Sequence, residues 1–324
     1  MLFYVVSGRY IQYKGFMMEV EMQDLCISPC DLCPRECRAA RAEGQTGFCL
    51  VDDRIRVARA ALHKWEEPCL SGENGSGAVF FTGCSLRCVY CQNYEISSGR
   101  RGKEISVQRL AQIFLNLQEK GAANINLVTP DHYLTGVVEA IALARGRGLG
   151  LPIVYNCSGY EKQTAIEILS GIVDIYLTDF KYMDPVLAGR LSFAPDYPVV
   201  AKRALAEMVE TVGEPVFDEQ GMMRKGVIVR HLLLPGHRKN TKEVIRYVHE
   251  TYGDRVYLSL MNQYTPFDRL QENADDKELC RKVTKREYED VVDYAISLGV
   301  RNAFIQEGDT AKESFIPDFD GEGV

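Results

Sequence analysis

The stretch that decides the fold is Phe80-Phe81-Thr82-Gly83-Cys84-Ser85-Leu86-Arg87-Cys88-Val89-Tyr90-Cys91, in which three thiols with the spacing C-x3-C-x2-C follow an apolar run. The run Ala78–Thr82 predicts a strand that ends just before the first cysteine. A compact triad of this kind can bind one [4Fe-4S] cluster, but it supplies only three of the four thiolates that a fully protein-ligated cluster takes. One iron atom is therefore left open to another ligand.

Composition and charge narrow the class of protein. The 324 residues are 46% hydrophobic and 26% charged, which is typical of a globular protein with one large domain and an appendage. A net charge of −7 argues against nucleic acid as a partner. No apolar run approaches the roughly 18 residues that span a membrane, and Leu2–Val6 is too short for a signal-peptide core. We therefore expect a cytoplasmic protein without a membrane partner, and Met17 or Met18 offers an alternative start that would leave residues 1–16 untranslated.

The cysteines are concentrated at the front of the chain. Nine of the eleven precede residue 92, and in a reducing compartment such clustering favours metal or redox chemistry over disulfides. Four of them, Cys30, Cys33, Cys37 and Cys49, form the pattern C-x2-C-x3-C-x11-C. This spacing predicts a second metal site, either a closed zinc site that only stabilises a small module or an auxiliary iron–sulfur cluster.

The chain after Cys91 alternates between helical and strand-like patterns. Six strand–helix units beginning at Ala78, followed by a seventh strand, predict a parallel sheet. We therefore predict an α/β fold, a partial (β/α)6-type TIM barrel with an N-terminal cysteine-rich metal-binding module. The predicted divisions are an N-terminal extension (1–25), the cysteine-rich module with a linker (26–77), the partial barrel (78–308) and a loose acidic tail (309–324).

Polar residues recur where successive strands are predicted to end, which is the edge where barrels of this type carry their chemistry. Asp179 and Lys181 share one face of a strand and could bind a zwitterion together. An isolated ion pair is most often a solvated surface feature, but recurrence at successive strand ends predicts a single site. The other candidates at these ends are Thr129, Asp131, Asn156, Ser158 and Arg230.

With these features the sequence resembles the radical S-adenosylmethionine (SAM) superfamily, through Cys84, Cys88 and Cys91 and the aromatic Tyr90 just before the third cysteine. The resemblance implies a [4Fe-4S] cluster whose open iron is chelated by the amino and carboxylate groups of SAM. It further implies reductive cleavage of SAM to a 5′-deoxyadenosyl radical that abstracts a hydrogen atom. Such chemistry needs an external electron donor, flavodoxin or ferredoxin.

Within the superfamily, the body of the chain resembles the pyruvate formate-lyase activating enzyme group, as a related branch. The match rests on Asp179-Phe180-Lys181 and on Arg230 followed by Leu234-Pro235-Gly236. The resemblance implies that these residues contact SAM and that a glycyl radical enzyme is a candidate partner. The group's Gly-Gly-Glu motif is replaced by Thr129-Pro130-Asp131, so we expect amine contacts from Asp131 or Thr129 instead. The predicted SAM-binding set is Tyr90, Thr129, Asp131, Asn156, Ser158, Asp179, Lys181 and Arg230.

Two alternative functions stay open. The missing Gly-Gly-Glu motif and the unusual front module suggest radical modification of a small molecule or of another protein residue. The front-loaded cysteines alone suggest a non-enzymatic iron–sulfur electron-transfer protein, which leaves the strand-end residues unexplained. The basic residues Arg100, Arg101 and Lys103 could meet an acidic electron donor by charge complementarity, or they could form a solvated basic turn.

Overall fold

The structure is a computed structural model that describes residues 10–13, 16–19, 29–267, 277–306 and 317–324. The predicted N-terminal extension therefore lies largely outside the described residues. Within it, Tyr10–Tyr13 (β1) and Phe16–Glu19 (β2) pair as antiparallel strands.

A ten-stranded sheet forms the centre of the described chain. In chain order its strands are Arg56–His63 (β3), Ser76–Phe81 (β4), Lys103–Glu104 (β5), Ile125–Val128 (β6), Ile153–Cys157 (β7), Ile175–Asp179 (β8), Val216–Phe217 (β9), Met223–Leu232 (β10), Tyr257–Met261 (β11) and Ala303–Ile305 (β12). Their spatial order is β12-β11-β10-β8-β7-β6-β4-β3-β5, with β9 paired to the start of β10. The strands from β4 to β12 along this order are parallel neighbours, whereas β3, β5 and β9 pair antiparallel.

Helices lie between strands of the sheet along the chain. They are Pro68–Ser71 (α1), Tyr94–Ser97 (α2), Val107–Glu119 (α3), Leu134–Gly146 (α4), Gln163–Ile168 (α5), Pro185–Ser192 (α6), Tyr197–Val212 (α7), Arg238–Tyr252 (α8) and Lys285–Ser297 (α9). Helix α1 lies between the antiparallel strands β3 and β4, and the other helices connect the parallel strands. From β4 to β12 the chain thus makes six strand–helix units and a seventh parallel strand, as predicted. In the part of the chain that the structure describes, the two outer strands do not pair with each other, so the sheet is an open, partial barrel and the predicted fold class is confirmed.

Two helices begin at side-chain capping residues. Ser106 accepts a hydrogen bond from the backbone N–H of Arg109 (3.1 Å) and begins α3. Thr284 and Glu287 form a reciprocal capping box at the start of α9. Because these side chains satisfy N–H groups that have no partner within the helix, they determine where each helix begins.

The short helix α1 fills the interior of the open barrel. Cys69 and Leu70 are buried against Val154, Ile175 and Ile228, which lie on β7, β8 and β10. Since side chains alternate along a strand, the same face carries polar residues two or four positions later, toward the carboxyl ends. Helix α1, which lies in the segment predicted as a linker, therefore completes an apolar layer inside the barrel. The polar residues at the carboxyl ends of the strands form the next layer.

The end of the chain corrects one prediction. The predicted loose tail is 309–324, but its described part, residues 317–324, is bonded to β3: Ala60 N donates to Glu322 O (2.8 Å) and Gly321 N donates to Ala58 O (3.1 Å). Arg59 also pairs with Asp320 (3.0 Å). The reason is that β5 covers only the start of β3, so the acidic end of the chain pairs with the remaining edge. No helix among the described residues is both long and apolar enough to cross a membrane.

Candidate active site

A cavity of about 240 Å³ lies at the carboxyl ends of the parallel strands. The thiol-bearing residues Cys84, Cys88 and Cys91 all line it. All but one of the predicted SAM-binding residues line it as well, namely Tyr90, Thr129, Asn156, Ser158, Asp179, Lys181 and Arg230. The structure therefore brings residues from the loop after β4 and from the ends of β6, β7, β8 and β10 into one site.

The triad has the environment that a cluster requires. Each thiol accepts a hydrogen bond from the chain: Leu86 N–H donates to Cys84 (3.4 Å), Ser192 Oγ to Cys88 (2.9 Å), and the Ser97 hydroxyl to Cys91. Burial, and then the proximity of the other thiols, raises the pKa of Cys84. A thiolate in this buried position is costly without a counter-charge, and binding to iron provides that charge. The three thiols therefore suit an iron–sulfur cluster.

The spacing of the thiols also bears on the kind of metal centre. No three Cys, His, Asp or Glu side chains of the described ranges surround one point closely enough to hold a single metal ion. The thiolates of a [4Fe-4S] cluster bind different iron atoms and lie farther apart than the four ligands of one zinc ion. The three thiols of the triad are thus compatible with a cluster.

Asp179 lies between two cations on the cavity wall. Lys181 Nζ is 2.5 Å from Asp179 Oδ2, and Arg230 Nε is 3.5 Å from Asp179 Oδ1. Arg230 Nη2 also donates to Asn156 Oδ1 (2.5 Å). Burial alone would raise the pKa of Asp179, but the charges of Lys181 and Arg230 hold it below its usual value. Asp179 is therefore ionised, and it lies on the cavity wall together with Lys181.

Glu66 is a site residue that the sequence analysis missed. Its side chain is only 7% exposed and lines the cavity, with Oε2 3.0 Å from Arg230 Nη1. Asn126 Nδ2 donates to Oε1 of the same carboxylate (3.0 Å). The run Glu66-Glu67-Pro68 before an apolar helix was the available signal, since paired acids rarely enter a core without a cation. Nothing local identified Arg230 as that cation.

Thr129 ends β6 in an unusual backbone conformation. Its φ is +57°, in the left-handed region that β-branched residues rarely adopt. The Thr129 N–H donates to Asn156 O (2.8 Å), which holds this strand end against β7. Strained residues of this kind cluster at functional sites, and Thr129 lies on the cavity wall.

Asp131 differs from the expectation that it supplies an amine contact. It does not line the cavity; the turn Asp131–Tyr133 directs its carboxylate toward Ser85, whose Oγ is 3.4 Å from Asp131 Oδ2. Burial raises the pKa of Asp131 to about 6. Burial, and then the charge of Asp131, raises the pKa of Glu161 to about 8. The two carboxyl groups form a buried pair between the front cysteines and the barrel.

Replacing Glu161 with glutamine is expected to stabilise the protein at pH 8 by about 1–3 kcal/mol. The pKa of Glu161 is raised from 4.5 to about 8 in the folded chain, so the unfolded chain ionises first and the free energy of unfolding falls as pH rises through this window. Glutamine removes this titration. Urea unfolding at pH 4.5 and pH 8 measures the free energy of unfolding of both proteins. Glu167→Gln on the exposed face of α5 is the control. Equal stability of E161Q and wild type at pH 8 would contradict the prediction.

The four front cysteines lie outside the cavity but next to the triad loop. Gly47 lies beside two of them, because a Cβ there would be 2.7 Å from Cys37 Sγ and 3.7 Å from Cys49 Sγ. The carbonyl of Cys49 accepts a hydrogen bond from Cys84 N (3.3 Å). Burial raises the pKa of Cys33 to about 12. The described thiols do not form the closed arrangement of a zinc site, and a metal at Cys30, Cys33, Cys37 and Cys49 stays a prediction.

Comparison with known proteins identifies the family. Residues 78–248, more than half of the chain, match the model of the radical SAM superfamily. The uncharacterized protein MJ0674 of Methanocaldococcus jannaschii is 27% identical over 296 residues, which cover 88% of this chain and 80% of that protein. SuiB of Streptococcus suis is a similar solved structure. Its complex with S-adenosylmethionine matches this chain with a TM-score of 0.43 and 15% identity, and the match covers 69% of this chain and 48% of SuiB. Its complex with the precursor peptide SuiA gives a TM-score of 0.41 and 14% identity over 68% and 46% of the two chains, so this chain spans about half the length of SuiB. The chain belongs to the radical SAM superfamily, whose enzymes bind a [4Fe-4S] cluster and S-adenosylmethionine.

Proposed function

We propose that this radical SAM enzyme abstracts a hydrogen atom from a glycine of a partner protein, in the manner of the activating enzymes that its sequence resembles. The observation that carries the proposal is the meeting of Asp179, Lys181 and Arg230 in one half-buried ion network beside the cysteine triad. These are the residues on which the resemblance rests. When the cofactors are bound, one-electron reduction cleaves SAM to a 5′-deoxyadenosyl radical that abstracts hydrogen.

The cavity residues divide into two roles. Cys84, Cys88 and Cys91 would hold the cluster. Lys181 and Arg230 would face the carboxylate of SAM, and Asp179 would face its ammonium group, because each charge then meets its opposite. The remaining wall residues, Tyr90, Thr129, Asn156 and Ser158, would enclose the rest of SAM and exclude water from the reacting groups.

The test is anaerobic reconstitution with iron, sulfide, a reductant and SAM. We expect 5′-deoxyadenosine and methionine in equal amounts. With a glycyl radical enzyme encoded beside this protein, we expect a glycyl radical signal in the electron paramagnetic resonance (EPR) spectrum of the partner. A fully loaded cluster that produces no 5′-deoxyadenosine would refute the proposal.

A small-molecule substrate is the second candidate. His63, Trp65 and Glu66 line the cavity, so the chain's own segment before α1 occupies part of the space that a partner's loop would have to enter. This observation favours a compact substrate. In that case, 5′-deoxyadenosine formation would depend on the small molecule and not on a partner protein. A glycyl radical on a partner would argue against this candidate. The non-enzymatic alternative is set aside, because membership of the superfamily implies an enzyme.

For the front cysteines we propose a second metal centre at Cys30, Cys33, Cys37 and Cys49. The supporting observation is that Gly47 lies beside both Cys37 and Cys49, and that Cys30 and Cys49 are buried. Metal and sulfide analysis of a variant lacking all three triad cysteines tests it. Residual iron with sulfide would indicate an auxiliary cluster, and zinc alone would indicate a structural site. Protein without either metal would refute the proposal.

Charge reversal of Arg100, Arg101 and Lys103 is expected to slow flavodoxin-driven turnover about tenfold while dithionite-driven turnover is unchanged. The three residues are exposed, and the carbonyl of Arg101 accepts a hydrogen bond from Thr82 Oγ1 (2.7 Å) just before the triad. An acidic electron donor docking here would therefore reach the cluster loop, and association steered by charge is lost when the charge is reversed.

The matched control for this prediction reverses three exposed cations at the amino ends of the strands, Lys120, Arg147 and Lys225. It changes the net charge equally, so it should leave both turnover rates near wild type. Equal slowing by the two sets would contradict a docking site at residues 100–103.

A further inference from the structure

We propose that Ser192 raises the reduction potential of the cluster by donating a hydrogen bond to Cys88, and that Arg35 of the front module, residues 30–49, holds Ser192 in place. The inference rests on Cys88 being a cluster ligand, as in the proposed function. It adds a positioning role for two residues that lie far from the triad in sequence and are not among the predicted site residues.

A directed chain of hydroxyl groups ends on Cys88. Ser192 is fully buried, with Oγ 2.9 Å from Cys88 Sγ and 2.7 Å from Tyr182 OH. Tyr182 OH is in turn 2.7 Å from Tyr90 OH. A thiolate bound to iron has no proton, so Ser192 must donate to it and accept from Tyr182, and Tyr182 must then accept from Tyr90. Hydrogen bonds that all run in the same direction polarise one another, which strengthens the bond from Ser192 to Cys88.

Both tyrosines are buried, and Tyr90 also lines the cavity. The chain of hydroxyl groups therefore connects the cavity wall to the sulfur of Cys88.

Arg35 holds the end of the helix that carries Ser192. Its Nη2 donates to Ser192 O (2.9 Å), its Nη1 donates to Phe193 O, and its Nε donates to Ser85 O (2.8 Å) in the triad loop. The guanidinium also stacks on Phe48, 3.9 Å from the ring centre. Carbonyls at a helix end lack partners within the helix and attract cations. Arg35 thus joins the front module, the end of α6 and the triad loop.

The hydrogen bond to Cys88 affects the reduction potential because reduction adds negative charge to the cluster. A reduced cluster carries one more electron, part of which lies on its sulfur ligands. A donor to a ligand sulfur stabilises the reduced form more than the oxidised form, so it raises the potential. Loss of the Ser192 hydroxyl should therefore make the cluster harder to reduce without removing any ligand.

The experiment compares midpoint potentials of reconstituted full-length proteins, measured by redox titration of the EPR signal without SAM. Iron and sulfide contents are measured first. For S192A we expect about a tenfold lower ratio of reduced to oxidised cluster at a fixed applied potential, which corresponds to about 59 mV for a one-electron couple. We expect a smaller shift of the same sign for Y182F and for Arg35→Ala. The control is S98A, since Ser98 is bonded to Glu95 O (3.3 Å) on the neighbouring surface.

A pair of isosteric variants covers the case in which S192A does not fold. S192T and S192V have the same shape and differ in the hydroxyl, so S192V should have the lower potential. A loaded S192A or S192V with the potential of its hydroxyl-bearing counterpart would overturn the role of Ser192. An unchanged potential in a loaded Arg35→Ala variant would overturn the role of Arg35. If the wild-type protein itself binds no cluster, the proposed function fails instead.

Discussion

Replacing Cys88 with alanine is expected to abolish cleavage of SAM. Cys88 is buried in the cavity wall between the other two triad cysteines, and losing one of three thiolates leaves two irons without protein ligands. The loss should exceed the roughly 10–100-fold that removal of an outer-shell partner costs. Anaerobic assays of 5′-deoxyadenosine, together with iron and sulfide content, measure both consequences.

Cys280→Ala is the control for this prediction. Cys280 is a half-buried cysteine outside both predicted metal sites, so its variant should keep wild-type iron content and turnover. A Cys88→Ala protein that still cleaves SAM at more than a few per cent of the wild-type rate would remove Cys88 from the ligand set. The superfamily membership would stand, but the triad would need another member.

Features carried by local spacing could be predicted from the sequence. The triad spans eight residues, and Lys181 follows Asp179, the last residue of β8, by two positions, so their proximity needs no knowledge of the fold. Arg230 was found because parallel strands bring their carboxyl ends to one edge. In the structure Arg230 and Asp179 are paired across neighbouring strands, which gives that edge its ion network.

Features that depend on distant parts of the chain could not be predicted. Glu66 meets Arg230 across 164 positions, through a segment that turns into the barrel after an antiparallel strand. The helix α6 was missed although Asp184 caps it and Pro185 begins it, which are ordinary helix-start signals. Without α6 there was no basis for expecting Ser192 beside Cys88.

The second large effect is expected for Asp179→Asn, which should weaken SAM binding about 10²–10³-fold. Asparagine keeps the shape of the side chain but removes the carboxylate that would face the ammonium group of SAM between Lys181 and Arg230. Truncating one partner of a hydrogen-bonded charge pair that becomes buried on binding costs about 2–5 kcal/mol of affinity. Anaerobic isothermal titration with SAM on cluster-loaded protein measures the affinity, and unchanged iron content separates this effect from loss of the cluster.

Asp290→Asn is the matched control, because Asp290 also accepts from two cations, Arg238 (2.8 Å) and Lys242 (2.9 Å), but does so at the surface. Surface pairs contribute about 0–1 kcal/mol, so its affinity for SAM should equal that of wild type. If D179N bound SAM within a factor of two of wild type, Asp179 would not organise the site.

Adding Lys181→Met to D179N tests whether the two residues act together on SAM. If Asp179 and Lys181 bind the two ends of the SAM zwitterion as one unit, the double variant should lose less affinity than the sum of the losses in D179N and in Lys181→Met alone.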